Sequence, residues 1–268
     1  MPELPEVETI RRDLEHELVG RVVQSLQIRD RRLMKTAEQK RWELNAVGRA
    51  WTAIERRGKY LVVQLEAGWR IILHLRMTGQ LVLGKDRPQS YRMRLTFDNG
   101  NELSFYDQRR FGEVWLLAPG QAWPSKSDLG PDALKELTQD MFISLVKKRT
   151  TRIQPLLMDQ RLISGVGNIY AQEALYKASI RPSRPGRSVS RSEATRLYKA
   201  LQETLQTAIA HRGSTSRNYR DAYDQEGSAQ SLHAVYRKGG QPCVRCRGPL
   251  RAARVGGRGT VYCPRCQK

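Results

Sequence analysis

The first residues of the chain have the types and spacing required for covalent chemistry. Pro2 is followed directly by Glu3, so removal of Met1 would expose a secondary amine beside a carboxyl group. Such an amine can attack the anomeric carbon of a sugar to form a Schiff base, while the neighbouring acid protonates the opening ring. The same residues also suit an ordinary helix start, because proline is common in the first turn. Both interpretations can hold together, since the positive end of a helix disfavours the ammonium form of a nearby amine.

The four cysteines form a second chemical group, near the other end of the chain. They occur as two Cys-x-x-Cys pairs, Cys243/Cys246 and Cys263/Cys266, separated by sixteen residues. This spacing is typical of a zinc ribbon, in which four thiolates hold one structural Zn²⁺. Two disulfides would better suit a small secreted domain than a long chain without an export signal. We therefore expect one zinc ion and no thiol left over for catalysis.

The charge of the chain indicates a polyanionic partner. It has 47 Lys and Arg residues against 27 Asp and Glu residues, a formal net charge of +20. Such a surplus is typical of nucleic-acid binding, although abundant basic residues also occur on solvated surfaces. From Gly227 to the C-terminus there are nine Lys and Arg residues and no acidic ones. This concentration beside the cysteines favours contact with phosphates.

Apolar runs are too short for a membrane segment. A bilayer-spanning helix needs about 18 or more consecutive apolar residues, and the sequence has no such run. The charged N-terminus also lacks the apolar centre of a signal peptide. We therefore expect a soluble, cytoplasmic protein without a membrane partner.

Patterns of apolar residues predict the elements that position the N-terminal groups. Apolar positions three and four apart over 7–18 predict a helix that ends by Gly20. Strand patterns fill 51–118, with a hairpin turn at Asn99–Gly100. Together they predict an antiparallel sandwich flanked by the first helix, and Pro119–Pro131 reads as the link that leaves it.

Helices are predicted from Leu134 onward. The clearest begins at a capping box formed by Ser190 and Glu193 and ends at Gly213. The polar stretch Ser214–Ser231 is predicted to be a loop. A loop that closes over a ligand and a plain solvated connector fit this stretch equally well, and a zinc-stapled hairpin then ends the chain.

Five short motifs occur in order along nearly the whole chain. They are Pro2–Thr9, Lys59 within Arg-Arg-Gly-Lys-Tyr-Leu, Leu156–Gln160, Gly165–Tyr170, and Gly257–Thr260 ahead of the second cysteine pair. Each is a common pattern alone, but in this order and with this cysteine spacing they resemble the formamidopyrimidine-DNA glycosylase family.

The resemblance implies an α+β fold with three domains. An N-terminal antiparallel β-sandwich with flanking helices forms the catalytic domain over residues 1–130. A C-terminal helical domain follows over 131–232 and contains a helix, two turns, helix element at 153–178 that binds DNA. A zinc-ribbon β-hairpin completes the chain over 233–268.

The resemblance also implies an activity and its residues. The protein would be a bacterial, nucleoid-associated monomer that excises oxidised purines from double-stranded DNA and nicks abasic sites by β,δ-elimination. By similarity, Pro2 is the Schiff-base nucleophile and Glu3 the acid at the ring oxygen. Lys59 and Arg258 hold phosphates and act in β- and δ-elimination, respectively. Glu6 either supports the nucleophile or complements the helix dipole.

DNA contacts are implied for a further set of residues. Met77 fills the hole left by the extruded base, Arg109 reads the opposite base, and Phe111 wedges beside it. Without the resemblance, Met77 and Phe111 would be predicted to lie in the core. Asn168 and its turn are placed against phosphate. The implied DNA-binding set is His74, Met77, Arg109, Phe111, Asn168 and Tyr170.

Three segments depart from the usual pattern of the family. Gln154 stands where many members have lysine, residues 235–238 read Val-Tyr-Arg-Lys, and residues 227–230 read Gly-Ser-Ala-Gln. These departures leave the implied chemistry intact and bear on which lesions are preferred.

Two alternative functions fit the same sequence. An endonuclease VIII-like glycosylase shares the nucleophile, the acid and the zinc hairpin but acts on oxidised pyrimidines, whereas Met77, Arg109 and Phe111 favour purines. A non-catalytic damaged-DNA-binding protein of the same fold is the second alternative. The intact Pro2 and Glu3 pair favours an active enzyme over that alternative.

Overall fold

The computed structural model describes residues 1–36, 39–84, 87, 90–123 and 128–268. The chain divides into two compact units. The first consists of Met1–Ser127 and His211–Gln230, and the second of Asp128–Ala210 and Ser231–Lys268. Within these described ranges, each helix is too short or too polar to cross a membrane.

Two four-stranded antiparallel sheets form the sandwich of the first unit. The first sheet consists, in spatial order, of β1 (Val23–Ile28), β6 (Met93–Phe97), β7 (Glu102–Asp107) and β5 (Gly79–Leu83). The second consists of β2 (Trp51–Arg57), β3 (Tyr60–Leu65), β4 (Arg70–His74) and β8 (Glu113–Leu117). The predicted hairpin at Asn99–Gly100 is confirmed, because it joins β6 to β7 and Gly100 has a φ of +78°.

Two helices flank this sandwich, α1 (Leu4–Leu18) and α2 (Gln39–Ala46). The predicted apolar stripe of α1 lies in the core, where Ile10 and Leu14 are fully buried with Trp51 and Phe97. The rings of Trp51 and Phe97 meet edge to face with their centroids 5.1 Å apart. Burial of this stripe fixes the direction of α1 and therefore the position of the N-terminus.

Four helices and a hairpin form the second unit. They are α3 (Gln139–Lys147), α4 (Ile153–Met158), α5 (Asn168–Lys177), α6 (Arg191–Ala210), β9 (Arg251–Val255) and β10 (Arg258–Tyr262). The predicted capping box starts α6, because the backbone N–H of Glu193 donates to Ser190 Oγ and that of Ser190 donates to Glu193 Oε2. The predicted order of helix, two turns and helix is present as α4, 159–167 and α5. The predicted α+β class, with sandwich, helical part and terminal hairpin, is therefore confirmed.

The segment His211–Gln230, here called the crossing loop, packs with the first unit. The chain closes on itself at the base of this loop, where the backbone N–H of Ala229 lies 3.0 Å from the carbonyl oxygen of Gly213. A Cβ added to Gly227 would stand 2.1 Å from that same oxygen. The two backbones therefore meet at a distance that only glycine at position 227 allows.

Candidate functional site

Pro2 and Glu3 form a buried corner at the start of α1, beside Met1, which is itself 48 % exposed. Pro2 is buried, and Glu3, the residue that caps α1, is 4 % exposed. In the intact chain the free amine belongs to Met1. Burial lowers the pKa of this amine, the carboxylates of Glu3 and Glu6 oppose that shift, and the cation of Lys59 adds to it. Both predicted carboxylates and the predicted lysine therefore act electrostatically on the amine of Met1, which directly precedes Pro2.

Glu6 fixes the backbone of this corner. Its carboxylate accepts the backbone N–H of Glu3 at 2.7 Å through Oε2 and that of Ser214 at 2.8 Å through Oε1. Ser214 belongs to the crossing loop, and a Cβ on the preceding Gly213 would stand 2.9 Å from Glu6 Cγ. The contact between Glu6 and Ser214 was not predicted, because residues about 200 positions apart leave no periodic signal in a sequence.

Lys59 and His74 lie side by side near the ends of neighbouring strands. Lys59 immediately precedes β3 and is 6 % exposed, and Tyr60 pairs with His74 across β3 and β4. Burial lowers the pKa of His74 to about 3, and the cations of Arg76 and Lys59 add to this. The backbone N–H of Arg76 donates to His74 Nδ1 at 3.2 Å. His74 is therefore a buried, neutral acceptor that supports the turn after β4.

Three predicted DNA-contact residues lie on the surface of the first unit. Met77 is 44 % exposed and Phe111 is 50 % exposed, so the expectation that either residue alone would be core is wrong. The guanidinium carbon of Arg109 lies 4.7 Å from the centre of the Phe111 ring. Exposed large apolar side chains beside a cation are typical of an interaction surface.

A buried aspartate holds the two turns that carry these residues. Asp107 is 3 % exposed, and its carboxylate accepts the backbone N–H groups of Arg109 at 3.2 Å and Gly112 at 2.7 Å. The hydroxyl of Thr78 donates to the same carboxylate. Asp107 thus ties the turn after β4 to the turn after β7. It stands within the Asp-Gln-Arg-Arg-Phe-Gly motif, yet its structural role was not predicted.

The remaining predicted residues belong to the second unit. Asn168 is the first residue of α5, and its Nδ2 donates to the carbonyl oxygen of Gly259 at 3.1 Å. Arg258 is exposed at the start of β10, directly after two glycines with positive φ. Tyr170 is 1 % exposed, so its environment in this unit is that of a packing residue.

The segment ahead of the cysteines is anchored to α5 by another buried carboxylate. Glu173 is 8 % exposed. It accepts three consecutive backbone N–H groups, from Ala234 at 2.8 Å, Val235 at 3.0 Å and Tyr236 at 2.7 Å. This contact fixes the point at which the chain enters the cysteine-bearing segment.

The four cysteines form one compact cluster of free thiols. Their sulfur atoms all lie within 4.8 Å of one another, with Cys243 and Cys266 3.9 Å apart and Cys246 and Cys263 3.5 Å apart. Four thiolates at about 2.3 Å from a tetrahedral zinc ion would stand about 3.8 Å from each other. The donor set therefore fits one Zn²⁺ held by all four sulfur atoms.

Three family models match consecutive parts of the chain. The formamidopyrimidine-DNA glycosylase N-terminal domain matches residues 1–114, and the formamidopyrimidine-DNA glycosylase H2TH domain matches residues 129–220. The zinc finger found in FPG and IleRS matches residues 240–268, which confirms the predicted zinc site. The sandwich, the helical element and the thiol cluster thus define a DNA glycosylase with a structural zinc.

Whole-chain similarities agree with these matches. Formamidopyrimidine-DNA glycosylases of Pelotomaculum thermopropionicum and Herpetosiphon aurantiacus are 39% and 40% identical, and each alignment covers 100% of this chain and at least 99% of the relative. The Lactococcus lactis Fpg in complex with abasic-site DNA is 34% identical with a TM-score of 0.92 over 99% of both chains. The same enzyme in complex with N7-benzyl-Fapy-dG DNA has a TM-score of 0.91 over 100% of both. The chain belongs to the formamidopyrimidine-DNA glycosylase family and acts on damaged DNA.

Proposed function

We propose that the chain is a bifunctional glycosylase and abasic-site lyase that acts as a monomer on double-stranded DNA. It removes oxidised purines, such as 8-oxoguanine and formamidopyrimidines, and then nicks the strand by β,δ-elimination. The proposal rests on the burial of Pro2 and on the carboxylates of Glu3 and Glu6 and the cation of Lys59, which all act on the amine directly beside it. The DNA in the related complexes, which carries an abasic site or a Fapy-dG derivative, supports this substrate class.

Removal of Met1 makes Pro2 the terminal residue, whose nitrogen is the proposed nucleophile. The nitrogen lone pair forms a bond to C1′ of the sugar, the bond from C1′ to the damaged base breaks, and the base leaves with the proton that the amine gives up. Glu3 donates a proton to the ring oxygen, so the ring opens and an iminium joins Pro2 to the sugar.

Strand cleavage proceeds from this iminium. Loss of a proton from C2′ expels the 3′ phosphate, and loss of a proton from C4′ then expels the 5′ phosphate. Water hydrolyses the remaining iminium and frees Pro2. Lys59 and Arg258 are the proposed cations that hold these phosphates and stabilise the departing charge.

The electrostatics of the corner support a nucleophilic amine. An amine attacks only in its neutral form, so a lowered pKa increases the reactive fraction near neutral pH. While Met1 is present, burial lowers the pKa of its amine, the carboxylates of Glu3 and Glu6 oppose this shift, and the cations of Lys59 and Arg217 add to it. Pro2 is the next residue and is itself buried. The start of α1 adds the positive end of a helix beside the same group.

The exposed residues of the first unit are the proposed readers of the DNA. Met77 and Phe111 are apolar and exposed, as wedges for a disrupted base stack must be. Arg109 carries only donors, which match the acceptors of cytosine and not the donor pattern of adenine. Excision opposite cytosine is therefore the expected preference.

Oxidised pyrimidines are a second candidate substrate class. The Lactococcus lactis Fpg, 34% identical to this chain, has also been solved with DNA containing an oxidised pyrimidine, at a TM-score of 0.91. We expect excision of such bases to be slower than excision of oxidised purines, because the same three exposed residues favour the purine reaction.

Borohydride trapping tests the proposal. The mature protein is incubated with duplexes that carry a single 8-oxoguanine or a single abasic site, and borohydride reduces any iminium to a stable adduct. We expect an adduct that maps to Pro2. The matched control is the same protein with one residue added before Pro2, which should bind the duplex without forming the adduct. An adduct on a lysine, or equal trapping by the control, would refute the assignment of Pro2.

A further inference from the structure

Gln154 links three elements of the second unit through one buried amide. The residue lies on α4 and is 0 % exposed. Its Nε2 donates to Oδ1 of Asn168 at 2.9 Å, and its Oε1 accepts the hydroxyl of Thr260 at 2.8 Å. The amide therefore connects α4 to the first residue of α5 and to the third residue of β10.

The direction of this chain of hydrogen bonds is fixed by a single carbonyl group. The oxygen of Gly259 can only accept, so Asn168 must turn its Nδ2 toward it, and this bond measures 3.1 Å. Asn168 Oδ1 then faces Gln154, which must present Nε2. Gln154 Oε1 is left for Thr260, whose hydroxyl must donate.

The bonded groups directly follow Arg258 in the chain. Gly259, whose carbonyl oxygen accepts from Asn168, follows Arg258 directly. The hydroxyl of Thr260 also lies 3.0 Å from the carbonyl oxygen of Arg258 itself. Gln172 adds a second donor to Gly259 at 3.2 Å and accepts the backbone N–H of Val261 at 2.7 Å. The first residues of β10 are therefore held by side-chain amides as well as by the strand pairing.

Packing against α4 also holds the tip of the hairpin in place. A Cβ added to Gly256 would stand 2.3 Å from Cγ of Pro155, the neighbour of Gln154 on α4. Gly256 has a φ of +54°, which also favours glycine. The tip that leads into Arg258 thus rests on the same turn of α4 that carries Gln154.

We propose that Gln154 is a positioning residue for Arg258. Its amide needs both of its polar atoms, a donor for Asn168 and an acceptor for Thr260, to hold the exposed guanidinium at the phosphate that leaves in δ-elimination. The inference rests on the proposed role of Arg258 in that step. We therefore expect substitutions at position 154 to change strand cleavage, because a fully buried side chain does not reach a base or a phosphate.

Substitutions that remove part or all of the amide test this inference. Gln154→Glu keeps an acceptor for Thr260 but opposes an oxygen to Asn168, and Gln154→Leu removes both polar atoms at a similar volume. Thr260→Val removes the hydroxyl at nearly constant volume, and Thr260→Ser restores it. Gln202→Glu is the matched control, since Gln202 donates to the carbonyl oxygen of Ala133 in the same unit, away from the hairpin.

The measurement is the ratio of δ-eliminated to β-eliminated product from an end-labelled abasic duplex, with adduct trapping followed in parallel. We expect the ratio to fall on the order of tenfold in Gln154→Glu, Gln154→Leu and Thr260→Val, which is less than the roughly 10²-fold cost of a 1 Å misplacement because the strand pairing still holds β10. Trapping should fall much less, because the iminium forms before Arg258 acts. Thr260→Ser and Gln202→Glu should keep the wild-type ratio.

Two results would overturn the inference. A wild-type ratio in both Gln154 variants would mean that the amide does not position Arg258. An equal fall in Gln202→Glu would mean that the effect is general destabilisation. Failure of the proposed function is a different result, because the unmodified protein would then give neither a trapped adduct nor a δ-eliminated product.

Discussion

The buried corner at the N-terminus and the exposed turns of the same unit are both held by a buried carboxylate that accepts backbone N–H groups. In the corner, the carboxylate of Glu6 accepts two backbone N–H groups. In the turns, the carboxylate of Asp107 accepts two backbone N–H groups and a hydroxyl. The corner buries Pro2, Glu3 and Glu6, whereas the turns expose Met77 and Phe111. A fixed backbone is thus common to both regions, and exposure distinguishes the proposed site of reaction from the proposed site of recognition.

The difference has a physical reason. A nucleophilic amine must lose its proton, and burial favours the neutral form. A wedge or a base reader must instead reach its partner, so only the backbone beneath it is buried. A carboxylate suits both tasks because each hydrogen bond to a charged acceptor contributes about 1.5–3 kcal/mol.

Zinc removal is expected to have the largest effect and to leave both regions intact. A structural zinc site depends on its metal for folding, so chelation should abolish DNA binding. The corner and the turns are held by carboxylates of their own unit, so a thermal transition of the first unit should persist. Binding titrations and calorimetry before and after chelation measure the two effects. Unchanged DNA binding by zinc-free protein would contradict this expectation.

Glu3→Gln should separate chemistry from structure within the corner. The amide removes the acidic proton, so excision of 8-oxoguanine should fall by about 10²–10⁴, the usual contribution of a general acid. Trapping on a preformed abasic site should fall less, since that sugar opens without loss of a base. Single-turnover rates on the two substrates provide the test. Equal losses on both would assign Glu3 a role in holding the helix start instead.

Glu6→Gln should affect catalysis, whereas Asp107→Asn should affect recognition of the opposing base. Each amide keeps one acceptor and turns an NH₂ group toward a backbone N–H, and one unsatisfied buried group costs about 1–3 kcal/mol. Glu6→Gln should slow excision and trapping together without changing the preference for the opposite base. Asp107→Asn should weaken that preference and slow trapping less. Identical profiles for the two variants would show that the regions do not work independently.

Arg109→Ala should change discrimination more than turnover. The preference for cytosine over adenine opposite the lesion should fall by about 1–3 kcal/mol, the value of one good base contact. Arg110→Ala is the matched control, because the neighbouring arginine pairs with Asp30 at 3.6 Å. Excision rates on duplexes that differ only in the opposing base give the answer. If Arg109→Ala keeps the wild-type ratio of excision opposite cytosine to excision opposite adenine, or if Arg110→Ala lowers it, Arg110 becomes the candidate for the contact with the opposing base.

The smallest effect is expected for His74→Asn at neutral pH. The pKa of His74 in the folded state is about 3, against an ordinary value of 6.5. Its neutral form therefore contributes stability above pH 6.5, and that contribution is lost as the pH falls toward 3. Asn keeps an acceptor for Arg76 without titrating. Denaturant unfolding should give similar free energies of unfolding for the variant and the unmodified protein at pH 7. Between pH 7 and pH 4 the free energy of unfolding should fall less in the variant, by about 1–3 kcal/mol.

Local sequence patterns predicted the helices, strands and turns, whereas contacts between residues far apart in the chain were not predicted. The helix stripe of α1, the turn at Asn99–Gly100 and the cysteine spacing each lie within a short stretch, where periodicity and turn chemistry act. The bond from Ser214 to Glu6 and the bond from Thr260 to Gln154 join residues far apart in the chain. Such pairs become visible only after folding brings them together.

The exposed residues illustrate a second limit of sequence reasoning. Composition alone favours burial of Met77 and Phe111, and only the family resemblance predicted their exposure. The resemblance also predicted a DNA contact for His74, although the structure buries it as an acceptor for a backbone N–H. A motif identifies which residues matter in a family, but not whether each one acts directly or through its neighbours.

Two parts of the crossing loop differ in how far their sequence can change. At its base, Gly213 and Gly227 lie too close for side chains, and Ser214 is tied to the corner through Glu6. Farther along, Tyr219 and Ala222 lie in the core of the sandwich, and the backbone N–H of Leu83 donates to the carbonyl oxygen of Ala222. Residues 223–226, by contrast, are exposed. A replacement within 223–226 therefore leaves the base and the core unchanged, so this stretch can diverge while the backbone beside the N-terminus is kept.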